Sequence, residues 1–211
     1  MLNEIKINEV KTDDEFNQAI KIYDEAFPEG EKRPVSDIKR NIIENNEKML
    51  IAKYNDTPVV FSMIWPIAGT DFLFLDYVAV SKDYRGKGIG SVFLEKIFEI
   101  SENDAFNHMI FEVENPEEGE NKKQRVARIK FYRRAGARTV TGFKYFLPPR
   151  NNNKAQEMKL MIISRKNVKN VNGKKIQSVL AEIYTHIYNR NSNDKTLNGI
   201  LDDIPEDVPL E

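Results

Sequence analysis

The 211-residue chain contains no cysteine. That excludes disulfides, thiolate nucleophiles and cysteine-ligated zinc. Histidine is nearly absent too: His108 and His186 are the only two. They are too few for a histidine-rich metal site, and no metal is expected. Neither sign of charge dominates, with 32 Lys and Arg against 33 Asp and Glu for a net charge of −1. Nucleic-acid binding needs a concentrated basic excess, so no such partner is expected. Long apolar runs are missing as well. The most apolar stretch, 59–68, is broken by Ser62 and Pro66 and falls well short of the ~20 residues that span a bilayer. The first residues, MLNEIKINEVKTDDEF, alternate charged and apolar side chains and hold no signal-peptide core. The expectation is a cytoplasmic protein without a membrane partner. The length suits one sizeable domain plus an extension.

What is present is patterning. Residues 4–10 alternate about Ile5 and Ile7 and predict a first strand. Thr12, with Glu15 three residues on, reads as a capping box. It opens a helix to about Phe27 with Phe16, Ile20 and Tyr23 on one stripe, stopped by Pro28 and Gly30. Ser36 is the expected cap of a second helix over 37–46 carrying Ile38, Ile42 and Ile43. Strands over 49–54 and 58–67 flank the hairpin residues Asn55, Asp56 and Thr57. The almost continuously apolar run 72–80 is expected at the centre of a sheet.

A glycine-rich turn over 85–90 then leads into a helix to about Asn103, striped by Ile89, Val92, Phe93, Ile97 and Ile100. A strand over 108–114, a polar loop over 116–123, a helix over 124–135 closed by Gly136, and strands over 139–147 and 157–164 follow. Past Arg165 the character changes. Ile176, Val179, Leu180, Ile183 and Ile187 repeat at helical spacing. A stripe of that size is rarely left exposed, so it is expected to pack on its own domain, with a homodimer as the alternative to a monomer. Residues 191–211 hold six acids and one Lys and are expected to be poorly ordered. The expected division is 1–164 and 165–211.

The segment richest in chemistry joins that apolar strand to the next helix: Leu75-Asp76-Tyr77-Val78-Ala79-Val80-Ser81-Lys82-Asp83-Tyr84-Arg85-Gly86-Lys87-Gly88-Ile89-Gly90. The first turn of a helix has unpaired N–H groups and the positive end of the dipole, which favours phosphate. Glycines let a ligand approach the backbone, and Arg85 and Lys87 add positive charge. No Gly-Lys-Ser/Thr closes the turn, so it is not a Walker A loop, and the glycine spacing is wrong for a dinucleotide fold.

Arg85, Gly88 and Gly90, after a strand ending Val78-Ala79-Val80, resemble the Arg/Gln-x-x-Gly-x-Gly/Ala signature of the GNAT superfamily of acyl-CoA-dependent N-acetyltransferases. A second resemblance lies in Phe111-Glu112-Val113 followed by a helix with Phe131-Tyr132 and a closing Gly136-Ala137. The order of elements agrees over 4–164. The chain departs from the family where an asparagine is usual on the first turn of the second helix. Arg125 stands there, Asn115 lies near the strand end, and 116–123 reads as an insertion.

The resemblance implies an α/β (α+β) fold: a mixed, mostly antiparallel sheet flanked by helices, here with a C-terminal helical extension. It implies acetyl-CoA as cosubstrate and a primary amine, on a small molecule or a peptide, as acceptor. The pantetheine would pair with backbone at Val78, Ala79 and Val80, and the pyrophosphate would sit on the amides of Arg85, Gly86, Lys87, Gly88, Ile89, Gly90 and Ser91, with Asn115 a further cofactor contact. Tyr132 would donate to the leaving thiolate. The base stays open among Glu112, Asp76, Glu114 and a water. Asp76, Glu112, Glu114, Glu29 and Glu31 favour a cationic acceptor on charge alone. A non-catalytic acyl-CoA-binding module is the alternative.

Overall fold

Thr12 sets the first helix. In the computed structural model, which describes residues 4–44, 47–100, 106–149 and 154–211, its hydroxyl accepts from the Glu15 N–H at 3.2 Å. The Glu15 carboxylate reaches back to the N–H of Lys11, also at 3.2 Å, one residue earlier than a standard capping box. Helix α1 (Asp13–Ala26) starts with three acids against the positive end of its dipole and buries Phe16, Ala19, Ile22 and Tyr23. Pro28 follows its C-terminal boundary at Phe27, where the residue before a proline avoids helical geometry.

Helix α2 (Val35–Glu44) starts earlier than the expected Ser36 cap. The Pro34 carbonyl takes the N–H groups of Asp37 and Ile38, which places Ser36 inside the first turn. Ile38 is buried, with Asn41 three residues on beside it, whereas Ile43 is 82% exposed. Five positions from Ile38 is the opposite face of a helix, so Ile43 does not extend the stripe. Positions 45 and 46, the expected end of this helix, lie outside the described residues.

Two compact units share the chain. The first comprises Met1–Pro66 and Leu75–Asp104. In it β1 (Lys6–Glu9) pairs antiparallel with β2 (Lys48–Tyr54), and β2 with β3 (Thr57–Pro66). The hairpin turn is tighter than expected. Asn55 and Asp56 are both left-handed, at φ 46° and 58°, and Thr57 already belongs to the strand. A two-residue turn of that hand matches strand twist. Strand β4 (Phe72–Val80) lies next to β3, and α3 (Ile89–Ile100) follows it, burying Ile89, Phe93, Leu94 and Ile97. The expected helix end at Asn103 and the side chain of Ile100 lie outside the description.

The second unit comprises Ile67–Phe74 and Ala105–Glu211. The first residues of β4, Phe72 to Phe74, pair in parallel with His108 to Ile110 of β5 (His108–Glu114). All seven residues of β5 pair antiparallel with β8 (Gln156–Ser164). The expected strand over 139–147 is two short ones, β6 (Arg138–Thr139) and β7 (Tyr145–Leu147), both on β8. Gly142, at φ 95°, bends the chain between them. Helix α4 (Lys122–Arg134) packs on β5. The β1–β2, β2–β3, β5–β8, β6–β8 and β7–β8 pairs are antiparallel and the β4–β5 pair is parallel, with helices packed against the strands.

The C-terminal segment corrects an expectation. Residues 191–211 are structured. After β9 (Asn170–Asn172) and α5 (Gly173–His186), Asp194 caps α6 (Lys195–Asp203) through the N–H groups of Thr196 and Leu197, at 2.9 and 3.0 Å. Strand β10 (Asp207–Pro209) then pairs with β9. Acidic composition hid an apolar set, Leu197, Ile200, Val208 and Leu210, that is buried while the acids other than Asp194 face water. The stripe of α5 is covered inside this unit: Ile176, Val179, Leu180, Ile183 and Tyr184 are all fully buried.

Candidate functional site

The turn from β4 into α3 makes an anion cradle within the first unit. Gly86 and Gly88 have φ of 75° and 79°, which side chains other than hydrogen rarely tolerate. A Cβ on Gly86 would meet nothing within 4 Å, so the space above the backbone is open. The Gly88 carbonyl accepts from Ser91 and Val92 to begin α3. The N–H groups of Gly86, Lys87, Gly88, Ile89 and Gly90 find no acceptor among the described residues. Five amides without an acceptor among the described residues, at a helix N-terminus, fit a diphosphate.

The two cations act differently from the sequence reading. Arg85 donates from Nε to the Val80 carbonyl at 2.9 Å and lies 3.7 Å from Glu25. Lys87 donates to the Asp83 carbonyl at 2.8 Å and stands over the Tyr84 ring. Both brace the turn, and Arg85 also engages the carbonyl of Val80, one of the positions expected to pair with pantetheine. The Ser81 N–H, next along, is tied to the Val59 carbonyl of β3 at 2.9 Å.

Asp76, also in the first unit, belongs to a buried ionic cluster. Arg33 binds Glu47 through two parallel 2.9 Å bonds and Asp76 at 2.5 Å. Asn41 donates to Glu47 at 3.0 Å. The Arg33 guanidinium lies over the Tyr77 ring, 5.5 Å from its centre, and Tyr77 donates to the Glu31 carbonyl at 2.7 Å. Desolvation alone would lower the Arg33 pKa, but the Asp76 and Glu47 carboxylates outweigh it and raise it. The cluster thereby ties the loop after α1 to β4.

In the second unit Tyr132 is buried on α4 against Phe111, ring centres 4.5 Å apart. Burial pushes its phenol up to about 12, with a small opposing effect from Arg128. The next residue of β5 points to the other face by strand alternation. There the Glu112 carboxylate accepts one hydrogen bond from Tyr145 and another from Tyr188. Burial, then the Glu112 charge, raises the Tyr145 pKa well above its ordinary value. Tyr132 and Glu112 thus flank one strand from opposite faces.

Glu114 and Asn115 are engaged locally. Glu114 pairs with Arg125 at 3.2 Å and Arg128 at 2.8 Å. The Asn115 amide donates to Glu157 at 2.8 Å and its oxygen accepts from the Glu117 N–H at 3.1 Å. Arg125 also donates to the carbonyls of Asn115 and Glu118. It therefore pins the insertion over 116–121, and Asn115 anchors its base.

Four residues escaped the sequence reading: Arg33 and Glu47 around Asp76, Tyr145 and Tyr188 around Glu112. Arg33 had one available signal, a cation between Lys32 and the proline of a loop that also holds acids. Tyr188 had none, since 76 positions separate it from Glu112.

The sequence profile of the acetyltransferase (GNAT) family matches residues 16–137, more than half of the chain. Curated proteins gave no match. Among solved structures, a GNAT-family protein from Bacteroides thetaiotaomicron is 22% identical, over 88% of this chain and 99% of its own, at a TM-score of 0.71. The ribosomal-protein-S18-alanine N-acetyltransferase of Escherichia coli is 19% identical, over 78% of this chain and 96% of its own, at 0.56. A GNAT family acetyltransferase from Elizabethkingia anophelis with acetyl-CoA bound is 14% identical, over 77% of this chain and 99% of its own, at 0.52. At these identities the likeness is one of fold, and it agrees with the mixed sheet and its one parallel pair. The family profile spans the amide cradle, Glu112 and Tyr132 alike, and on that match the chain belongs to the GNAT family of acetyltransferases.

Proposed function

We propose that the protein transfers acetyl from acetyl-CoA to a primary amine by direct attack. The observation that carries the reading is the cradle of five unpartnered amides between Gly86 and Gly90. In this reading the amides from Gly86 to Gly90 hold the pyrophosphate, whereas the Arg85 and Ser91 N–H groups expected beside them are already given to the Lys82 and Gly88 carbonyls, and backbone at Val78, Ala79 and Val80 holds pantetheine as an added strand would. The acetyl-CoA-bound relative from Elizabethkingia supports the choice of cosubstrate. When bound, the cosubstrate supplies an activated thioester.

The residues of this chain then divide the proton work. An acceptor amine must be neutral to attack, so a base takes its proton. Glu112 is preferred for that role because each of its oxygens accepts from a neutral tyrosine hydroxyl. Asp76 and Glu114 are each ion-paired to a guanidinium, and an adjacent fixed cation opposes proton uptake. Tyr132, with its phenol held up to about 12, stays protonated at neutral pH. A thiol ionises near 8.5, so full proton transfer from the phenol to the thiolate is uphill, and Tyr132 acts by hydrogen bonding to the departing sulfur. The Val78 N–H is the proposed donor to the oxyanion. Asn115, whose side chain is taken up locally, is left as a backbone contact at most.

The test is thiol release from acetyl-CoA across spermidine, lysine, an aminoglycoside and a peptide with N-terminal alanine, the last suggested by the Escherichia coli relative. The absence of cysteine leaves a thiol reagent nothing to read but free CoA. Turnover on at least one amine is expected. Tight CoA binding with no turnover on any amine would make the protein an acyl-CoA-binding module instead.

A further inference from the structure

The C-terminal extension reaches the carboxylate assigned above as the base. Tyr188 follows α5 by two residues, far beyond the segment that matches the family profile. Its hydroxyl donates to Oε2 of Glu112, while Tyr145 of β7 donates to Oε1. Tyr184 completes the enclosure. Its ring packs edge-on against Tyr145 and against Tyr188, with centres 6.4 and 5.8 Å away. Its own hydroxyl donates to the Phe146 carbonyl. Across the sheet, Glu112 faces Leu160 of β8, which brings no charge. Glu114, next on the same face, is held by Arg125 and Arg128. The hydroxyls of Tyr145 and Tyr188 are thus donors to the two oxygens of Glu112, and the charged groups Asp194 and Arg190 stand beside Tyr184 behind them.

We propose that the extension is a working part of the acyl-transfer site, and that Tyr188 is a positioning residue that orients Glu112 and tunes its proton affinity. The inference rests on the reading of Glu112 as the base. A carboxylate with one donor on each oxygen is fixed in rotation, so its remaining lone pairs point in a defined direction. Each donor also stabilises the charged form. Loss of one donor makes the carboxylate easier to protonate and free to turn. The chain thus couples the folding of α5 to the readiness of the base.

Tyr188→Phe keeps the ring and removes only the donor. Glu112 is followed in protein labelled with carboxyl-13C glutamate, its resonance being the one that Glu112→Gln deletes. In Tyr188→Phe that resonance is expected to titrate about one pH unit higher, equivalent to about tenfold in proton affinity. The acidic limb of kcat/KM, measured with the fastest amine of the panel, is expected to move by the same amount. Tyr184→Phe is the control: it removes a hydroxyl of the same cluster that bonds to backbone, and it should leave both midpoints in place. An unshifted resonance in Tyr188→Phe overturns the proposal. So does a shifted resonance with an unshifted limb, because the clamp then plays no part in the reaction. If Glu112→Gln itself retains the wild-type limb, the reading of Glu112 as base fails, a result distinct from either of these.

Discussion

Phenylalanine at position 132 would keep the ring against Phe111 and delete one hydroxyl. An interaction with a departing thiolate strengthens only in the transition state, so its loss appears in kcat and not in acetyl-CoA affinity. Tyr132→Phe is expected to lower kcat by about 10²–10³-fold, the range for losing one hydrogen-bond donor to developing charge, with the dissociation constant from calorimetry unchanged. Wild-type turnover in this variant, with chemistry limiting, would remove Tyr132 from the mechanism. Gly88 offers the corresponding test of the cradle. At φ 79° a side chain costs about 1–2 kcal/mol in backbone strain, and a glutamate adds negative charge where the pyrophosphate is proposed. Gly88→Glu is expected to abolish acetyl-CoA binding with a small loss of melting temperature. Unchanged affinity would place the phosphates elsewhere.

The residue scale also shows what one-dimensional reading can and cannot reach. Arg85, Gly88 and Gly90 are legible because their pattern is local: the turn and the helix start that they form lie within six residues. Asp76 is different. In sequence it is an acid on an apolar strand, as open to catalysis as Glu112. Arg33, 43 positions away, makes it half of an ion pair. Nothing in the local pattern distinguishes the two carboxylates, since the partner that decides each comes from a distant segment.

At the scale of elements, Gly173 is where the tail crosses the start of α5. Its N–H donates to the Glu206 carbonyl at 2.6 Å, and a Cβ there would fall 2.0 Å from the carbonyl oxygen of Pro205. That oxygen is backbone, so β10 must shift to admit a methyl group. Gly173→Ala is expected to destabilise the protein by about 1–3 kcal/mol, in the range for overpacking. Urea denaturation measures it, and an unchanged midpoint would show that β10 is loosely held. The same elements explain why the tail misled. Its net charge describes the side chains that face water, whereas order was decided by Asp194 at the cap of α6 and by Val208 and Leu210 against the rest of the unit.

For the molecule as a whole, stability against pH follows from buried titratable groups. Tyr23, Tyr77, Tyr132, Tyr145 and Tyr184 all have raised pKa values, chiefly through burial. An acid raised in the folded state binds more protons than the unfolded chain between its two pKa values. The stability it contributes is complete below the unfolded value near 10 and is lost as pH rises through the folded values, Tyr132 reaching about 12. On the acid side, burial lowers the pKa of His108, so its contribution fades as pH falls below about 6.5. Asp71 and Glu157 follow. Desolvation raises both, but hydrogen bonds outweigh it, from Asn107 and Lys175 for Asp71 and from Lys144 and Lys159 for Glu157, and both end lowered. Their contribution is present above the ordinary carboxylate range and is lost as pH falls through the folded values. Urea midpoints are expected to plateau between about pH 7 and 9 and to fall on both sides. A midpoint still rising at pH 11 would contradict the burial of the tyrosines.

Periodicity, caps and turns need only neighbours within a few residues, and so the sequence by itself determined the order of the elements as far as β8, the turn from β4 into α3, the stripe of α5 and the family. Tertiary structure alone decided the rest. It gave Asp76 to Arg33, brought Tyr145 and Tyr188 onto Glu112, split the strand after α4 at Gly142, and ordered an acidic tail. Each of these turns on a contact between segments tens of residues apart, and its energy exists only once the chain has folded to bring them together.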